Sequence, residues 1–373
     1  MTVSIGLASE TDDAGVRRLL RSQAMPGRVR LSFCREPDFS LGCAVTGEEY
    51  QIVVARSVPD GDVVGVACRS IRQVFLNGCE QRIGYLGQLR VDERYRGRWL
   101  VSRGFAMLEA MHRKDPLPAY LASIVEGNDE ATGVLVRRRR RGFPEFREVA
   151  RYVTLALRVR RPMRRWGRPS GRWGRPSSRW GRPSSRWGRP SGRPCSSLEE
   201  IAEFLRREGP RRQLSSIWTV DGLRGLADYG LTLDDICVAR REGAIAGVIA
   251  LWDQSAYKQS VIRGYSGWLR AAAPLLPRPG TELRSAYASL VCIAGDDPAV
   301  FESLLREVCA IAAARGFDYL LVGLDTRDPL LDVARAHPHV AYPSRLYLAS
   351  WPDGGPCYEP LDARPAYLDI ATL

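Results

Sequence analysis

The stretch IGYLGQLRVDERYRGRWLVSRGFAMLEAM, residues 83–111, combines a strand, a basic turn and an amphipathic helix in direct succession. Tyr85, Leu89 and Val91 follow the two-residue period of a strand with one shared face. From Leu100 onward, apolar residues recur at helical spacing, which predicts a helix with one buried face. The turn therefore lies at a helix N-terminus, where free backbone N–H groups and the positive end of the helix dipole favour an anion.

The turn itself is basic and contains a glycine. Arg94, Arg96 and Arg98 add positive charge, and Gly97 lets a ligand approach the backbone closely. These features predict a phosphate-binding turn over residues 96–101. The alternative is an ordinary β–α connection whose arginines serve only solubility.

The segment resembles motif A of the GNAT superfamily, the acetyl-CoA-dependent N-acetyltransferases. In that family a strand ending in Leu-x-Val precedes a glycine-rich turn that binds the coenzyme pyrophosphate. The residues that match the motif are Leu89, Val91, Tyr95, Arg96 and Gly97. Trp99 and Val101 depart from it, because the family has small residues at these positions. A bulky side chain there could narrow the pyrophosphate site.

The order of predicted elements extends the resemblance. A helix with Val16 on its apolar face precedes two strands, residues 51–56 and 63–68, and Asn77-Gly78 marks a hairpin into the motif strand. A strand at residues 119–125 follows the helix, and residues 151–157 form a closing strand. This is the order of a GNAT domain. Asn128, Ala131 and Gly142-Phe143 match the next family motif, and the whole resembles a bacterial subgroup of two-domain GNAT proteins.

The resemblance implies that acetyl-CoA is the cosubstrate and that it lies along the strand, the turn and the start of the helix. The implied coenzyme-binding residues are Leu89, Val91, Arg96, Gly97, Arg98, Trp99, Leu100, Val101 and Asn128. Glu126, at the end of the facing strand, is the candidate catalytic base; the alternative is an exposed strand-end carboxylate.

The general acid is not assigned by the resemblance. Many family members use a Tyr in the helix before Gly-Phe, but residues 135–141 contain none. Tyr85 and Tyr95 are weak substitutes, since aromatic residues in and beside a strand are usually packing residues.

Composition limits the classes of protein. The chain has 373 residues, 45% of them hydrophobic, which is enough for two cores of ordinary size. No apolar run approaches the roughly 18 residues needed to span a bilayer, and no signal-peptide pattern follows Met1, so we expect no membrane partner. Nine cysteines without a C-x-x-C pair, and three histidines, indicate a reduced cytoplasmic protein without a metal site.

Residues 159–195 form a low-complexity linker. RWGRPSG, RWGRPSS, RWGRPSS and RWGRPSG follow one another over residues 165–192. Residues 158–194 hold 13 Arg and no Asp, Glu or Lys, so they account for the formal net charge of +13. The linker is either a tolerant spacer, which we favour, or a nucleic-acid contact with Arg on phosphates and Trp on bases. A second basic run at residues 137–141 is interpreted as solvated.

The second half predicts the same kind of fold again. Helices and strands over residues 196–353 repeat the back half of the first domain, residues 1–158, and residues 354–373 form a C-terminal tail. The corresponding turn carries Asp296 and Asp297, which suit helix capping and would repel a pyrophosphate. We expect a degenerate GNAT-like domain that does not bind coenzyme, with a substrate-shaping or dimer-forming role left open.

The sequence therefore predicts an α/β protein of the α+β type with mixed sheets, two GNAT-like domains and a linker. The function expected is transfer of an acetyl group from acetyl-CoA to a primary amine on a small molecule or peptide. A non-catalytic ligand- or partner-binding protein on the same fold is the first alternative. A nucleic-acid-associated protein acting through the linker is the second.

Overall fold

A computed structural model describes residues 2–25, 27, 29–97, 99–137, 142–159, 196–270, 277–351 and 358–373. Arg98, the arginine run from residue 138 to 141 and residues 160–195 of the predicted linker lie outside the described residues. Statements below about what is absent concern the described ranges only.

The first half contains seven strands and four helices. They are β1 (Thr2–Leu7), α1 (Asp13–Ser22), β2 (Val29–Cys34), α2 (Phe39–Ala44), β3 (Glu49–Val58), β4 (Val63–Leu76), β5 (Cys79–Val91), α3 (Leu100–Lys114), β6 (Tyr120–Val125), α4 (Asp129–Thr132) and β7 (Glu145–Arg158). The predicted helices and strands of this half are present, and β4 and β7 are longer than predicted.

The second half contains seven strands and four helices among its described residues. They are α5 (Leu198–Glu208), α6 (Val220–Gly225), β8 (Ile236–Arg241), β9 (Ala244–Trp252), β10 (Gln259–Tyr265), β11 (Glu282–Leu283), β12 (Ser285–Ile293), α7 (Pro298–Ala314), β13 (Tyr319–Asp325), α8 (Leu331–Arg335) and β14 (His339–Ser350). Strands β10 and β11 were not predicted, because their sequence lacks a clear alternating pattern.

Local chemistry explains the elements around the motif. Asn77 and Gly78 both have positive φ, 51° and 80°, as the tight turn between β4 and β5 requires. Phe105 and Leu108 of α3 are buried beside Tyr120 of β6 in one apolar cluster, so the predicted helical face is the one that packs on the sheet.

Eleven strands form one mixed sheet in the order β1-β3-β4-β5-β6-β14-β7-β13-β12-β9-β8. The last strand of each half is exchanged. β14 pairs antiparallel with β6 of the first half, and β7 pairs antiparallel with β13 of the second, while β7 and β14 pair with each other. The mixed α/β sheet predicted from the sequence is confirmed.

The exchange changes how the halves are connected. The closing strand predicted for residues 151–157 lies in β7, but it pairs with β13 and β14 and not with β6. A domain boundary at residue 158 therefore separates two stretches of sequence, but the strands on either side of it belong to one continuous sheet. The boundaries 1–158 and 196–353 stay predictions about sequence units.

A second sheet of three strands, in the order β11-β10-β2, also joins the two halves. β2 of the first half pairs antiparallel with β10 of the second, with Ser32 opposite Val261. Alternate β2 residues, Val29, Leu31 and Phe33, line a cavity together with Ile262 of β10 and residues of the main sheet.

Residues 366–373, at the end of the predicted C-terminal tail, are part of the core. Leu368 and Ala371 are 1% and 0% exposed. Tyr152 of β7 fixes the segment: its hydroxyl donates to the Leu368 carbonyl oxygen at 2.7 Å and accepts from the Leu368 N–H at 3.1 Å. Residues 366–373 are therefore an integral part of the folded core and not a separate tail.

Candidate active site

The candidate site begins where β5 and β6 separate. These parallel strands pair only from Gly84 to Leu86 on β5. Beyond Leu86 the gap between them opens, and residues 87–91 and 123–125 line a cavity of about 640 Å³. A ligand can enter the sheet here without breaking a strand pair.

A β-bulge in β5 sits at this opening. Cys68 of β4 faces Gly87, but Val66 faces Arg90, so β5 carries one extra residue. Gln88 in the bulge has φ 57°. The ring of Tyr85 occupies the space above Gly87, because a Cβ built there would lie 2.7 Å from Tyr85 Cε1 and 3.2 Å from its hydroxyl. The bulge thus presents a tyrosine hydroxyl to the cavity.

The carbonyl groups of two residues predicted to bind the coenzyme already accept hydrogen bonds. The Leu89 carbonyl oxygen accepts from Arg90 Nη1 at 2.8 Å, and the Val91 carbonyl oxygen accepts from Gln23 Nε2 at 2.6 Å. Leu89 and Val91 both line the cavity, as predicted. A pantetheine arm bonded to either carbonyl would have to replace these side chains.

The predicted phosphate-binding turn lies between β5 and α3. Gly97 has φ 77°, and a Cβ built on it would meet nothing within 4 Å, so the backbone is open to a ligand. The arginines contribute less charge than predicted, because Arg94 pairs with Asp92 at 2.9 Å and Arg96 with Glu130 of α4 at 3.1 Å. In the described part of the turn, the remaining attraction for an anion comes from the backbone N–H groups at the start of α3.

Trp99 is the N-cap residue of α3 and has φ 61°, a conformation that favours glycine. This explains why a small residue is the family pattern at this position. Its side chain is 69% exposed, so it projects into solvent and does not close the turn from inside.

The other predicted coenzyme residues are spread around the opening. Leu100 is 6% exposed and packs with Tyr95. Val101 lines the cavity from α3, and Asn128 lines it from the start of α4. The Asn128 side-chain oxygen accepts from the Ala131 N–H at 3.1 Å, so it caps α4. Arg98 lies outside the described residues.

Trp99→Gly tests whether the turn is strained. A non-glycine residue in the left-handed region costs about 1 kcal/mol, and the exposed indole contributes little packing in return. We expect the free energy of unfolding to rise by up to about 1 kcal/mol. Denaturant unfolding of the two proteins would show it, and a destabilised variant would mean that the indole contacts outweigh the backbone strain.

The rest of the cavity is mostly apolar and aromatic. Its roof is the three-stranded sheet, and its floor is the main sheet. Aromatic residues that line it besides Tyr85 are Phe33, Phe105, Phe146, Tyr152, Tyr265, Tyr287, Tyr319 and Tyr342. The charged residues lining its described part are Arg35, Arg69 and Arg90, with no Asp, Glu or His among them.

Glu126, the predicted catalytic base, lies elsewhere. It lines a separate recess with Arg345 and Tyr347, and its carboxylate pairs with Arg345 Nε at 3.3 Å. The side chain therefore points away from the cavity at the bulge, and the geometry does not support it as a base. Tyr95 is 6% exposed in the apolar cluster of Val3 and Val64, which is the packing role expected of it.

The second half has the same opening, but its own chain fills it. β12 and β13 pair only from Ser285 to Tyr287 on β12, and Leu290 forms a bulge with φ 53°. The Asp369 carboxylate accepts from the Leu290 N–H at 3.0 Å and from the Ser289 hydroxyl. The Tyr367 hydroxyl accepts from the Val291 N–H at 2.8 Å.

The turn of the second half matches the prediction in part. Asp297 caps α7 by accepting from the Ala299 N–H at 2.9 Å. Asp296 does not cap: it pairs with Arg211 and Arg212 at 2.7 and 2.6 Å. Both carboxylates are therefore committed to the structure.

Two further features concern the described residues only. They hold no group of three or more His, Cys, Asp or Glu side chains that could bind a metal ion. No helix among them is long and apolar enough to cross a membrane.

Solved structures share this architecture. A GCN5-related N-acetyltransferase from Sphaerobacter thermophilus matches 100% of this chain and 98% of its own, at 14% identity and a TM-score of 0.53. The chain has the GNAT fold. Saccharomyces cerevisiae N-myristoyltransferase, solved with bound myristoyl-CoA, matches 98% of this chain and 88% of its own, at 10% identity and a TM-score of 0.51.

A third GNAT-fold match is the glucosamine N-acetyltransferase region of a fungal β-N-acetylglucosaminidase. It covers 93% of this chain and 38% of the other, at 15% identity and a TM-score of 0.57. No protein-family model and no curated protein matches the chain. The GNAT resemblance predicted from the sequence is thus confirmed at the level of the fold.

Proposed function

We propose that the protein transfers an acyl group from an acyl-CoA to a primary amine, in the opening between β5 and β6. The observation that carries this proposal is the succession of three features along β5 and into the start of α3. These are the open glycine turn at the start of α3, the separated strands, and the bulge with the Tyr85 hydroxyl. Pyrophosphate would lie at the turn, pantetheine between the strands and the thioester at the bulge.

The reaction needs a neutral amine, because an ammonium ion has no lone pair to attack the thioester carbonyl. The lining of the described cavity supplies arginine side chains and no Asp or Glu side chain. Positive charge and apolar surroundings both disfavour the ammonium form, so they lower the pKa of a bound amine. We infer that the cavity itself, and not Glu126, favours the nucleophilic form.

Transfer forms a C–N bond, breaks the C–S bond, and moves one proton overall from the amine nitrogen to the leaving thiolate. Tyr85 is the proposed general acid, since its hydroxyl lies beside the bulge. Burial raises the pKa of Tyr85, and the charge of Arg72, whose Cζ is 5.0 Å from the ring centroid, opposes that rise. The hydroxyl therefore stays protonated at neutral pH and can donate.

Acetyl-CoA is the first cosubstrate to test, by calorimetry of the full chain followed by a screen of amines with detection of free thiol. We expect binding and thiol release that depends on the amine. Binding without thiol release from any amine would favour the non-catalytic ligand-binding protein. No binding at millimolar coenzyme would overturn both.

Tyr85→Phe tests the proposed acid. Loss of the hydroxyl should lower kcat about 100-fold and leave the Kd for acetyl-CoA unchanged, because the ring still packs over Gly87. The alkaline fall of kcat with pH, where Tyr85 loses its proton, should disappear as well. Tyr342→Phe, a cavity tyrosine on β14, is the matched control. Equal effects of both variants would show that Tyr85 has no special role.

A further inference from the structure

Arg35 follows β2 and continues the alternation of Val29, Leu31 and Phe33 into the cavity. It is 6% exposed. Gly42 of α2 makes room for its stem, because a Cβ on Gly42 would lie 2.9 Å from Arg35 Cδ. The fold thus positions a buried guanidinium at the inner end of the cavity.

No carboxylate in the described part of the chain lies within ion-pair distance of Arg35. Its hydrogen bond there goes from Nη1 to the carbonyl oxygen of the preceding Cys34, at 3.1 Å. A buried charge without a partner is costly, and such groups are normally paired. The buried guanidinium of Arg35 therefore has no anionic partner among the described residues.

Two neighbouring buried cations, Arg72 and Lys258, each make two hydrogen bonds to residues 371–373. Arg72 donates to the Thr372 hydroxyl and carbonyl oxygens at 3.1 and 2.9 Å. Lys258 donates to the carbonyl oxygens of Ala371 and Leu373 at 2.7 and 3.0 Å. Both side chains thereby fix residues 371–373. Arg35 has one hydrogen bond of this kind among the described residues, to the carbonyl oxygen of the preceding Cys34, and it lines the cavity.

Arg90 adds a second positive charge to the cavity lining. Besides the Leu89 carbonyl oxygen, it contacts the Met25 sulfur at 3.2 Å, which is a weak acceptor. Burial, with the charge of Arg35, lowers the pKa of Arg90 to about 10, and burial lowers the pKa of Arg35. Guanidinium groups keep their charge at neutral pH. Two like charges in one apolar chamber create a site for an anion.

We propose that Arg35, with Arg90 beside it, binds a carboxylate on the amine acceptor, so that the acceptor is an amino acid or peptide-like molecule with an apolar body. This deepens the proposed function and rests on it. Planar guanidinium groups match a carboxylate in geometry. The aromatic and aliphatic walls, including Phe33, Tyr287 and Leu321, suit the apolar part. A carboxylate carries a single charge, which suits a chamber where Arg35 has no carboxylate partner among the described residues.

The first test measures binding alone, in the absence of acyl transfer. Octanoate is the carboxylate probe, and octanol and octyl phosphate are control probes with the same alkyl chain. Calorimetry should show octanoate binding to the full chain, with octanol at least about 100-fold weaker. In Arg35→Met, whose side chain keeps the stem beside Gly42, octanoate should bind about 100-fold more weakly and octanol unchanged. Preference for octyl phosphate, or equal losses for all three probes, would overturn the proposal.

Stability separates a binding role from a structural one. Without ligand, Arg35→Met should melt at the same or a higher temperature, because it removes a buried charge without a partner. A structural arginine would instead give a lower melting temperature. A lower melting temperature with unchanged octanoate binding would also overturn the proposal.

Measurement of acyl transfer provides the second test of the proposal. With acetyl-CoA, wild-type protein should favour 8-aminooctanoate over octylamine in kcat/KM by about 100-fold, and Arg35→Met should remove that preference. An equal loss for both amines would show that Arg35 acts on the thioester and not on the acceptor, and would overturn the proposal. Octanoate binding without transfer to either amine would leave the anion site standing and remove the acyltransferase function.

Discussion

Gly97→Glu is expected to abolish binding of acetyl-CoA to the full chain. Gly97 has φ 77°, which costs a glutamate about 1 kcal/mol of backbone strain. Its side chain would enter the open space that the pyrophosphate needs, and its charge would repel the phosphates. We expect the Kd to rise by about 100-fold or more, equivalent to about 2.7 kcal/mol, as measured by calorimetry.

Gly243→Glu is the matched control. Gly243 has φ 85° in the turn between β8 and β9, and a Cβ built there also meets nothing within 4 Å. The backbone strain and added charge are therefore the same, but the turn lies at the far edge of the main sheet. Gly243→Glu should bind acetyl-CoA like the wild type. Unchanged binding in Gly97→Glu would place the coenzyme elsewhere.

The sequence predicted the motif strand, the glycine turn and α3 because each has a strong local pattern. Leu89, Val91 and Val101 line the cavity, and Gly97 lies in the turn before α3; their role in binding stays a prediction. The charge of the turn was overestimated. Counting arginines cannot reveal that Glu130, far along the chain from Arg96, neutralises it.

The exchange of β7 and β14 between the two halves cannot be predicted from local sequence patterns. Either strand alternates in the same way whether it pairs within its own half or with the other, so only the pairing partners decide the topology. The cavity depends on the same long-range contacts, because its roof unites β2 with β10. Arg35 could have been found from the alternation of Val29, Leu31 and Phe33, which places an arginine at the next inward position. Its isolation from carboxylates required the three-dimensional arrangement.

The second half is expected to depend on Asp369 for stability and to leave the chain with one coenzyme site. The Asp369 carboxylate accepts hydrogen bonds from the Ser289 hydroxyl, the Leu290 N–H at 3.0 Å and the Ala371 N–H at 3.1 Å, and it is 3% exposed. Asp369→Ala leaves three donors without that partner. Each buried donor left unsatisfied costs about 1–3 kcal/mol, so the free energy of unfolding should fall by at least about 3 kcal/mol.

Asp332→Ala is the control, since Asp332 lies on α8 with its side chain 93% exposed; its free energy of unfolding should change by at most about 0.5 kcal/mol. Denaturant unfolding compares the two variants with the wild type. The same contacts bear on binding, because Asp369 and Tyr367 occupy the N–H groups of the second bulge that a pantetheine arm would need. Equilibrium titration of the wild type should therefore give one acetyl-CoA per chain. A stoichiometry near two would require residues 367–370 to leave the core, and an undiminished stability of Asp369→Ala would show that they can do so at little cost.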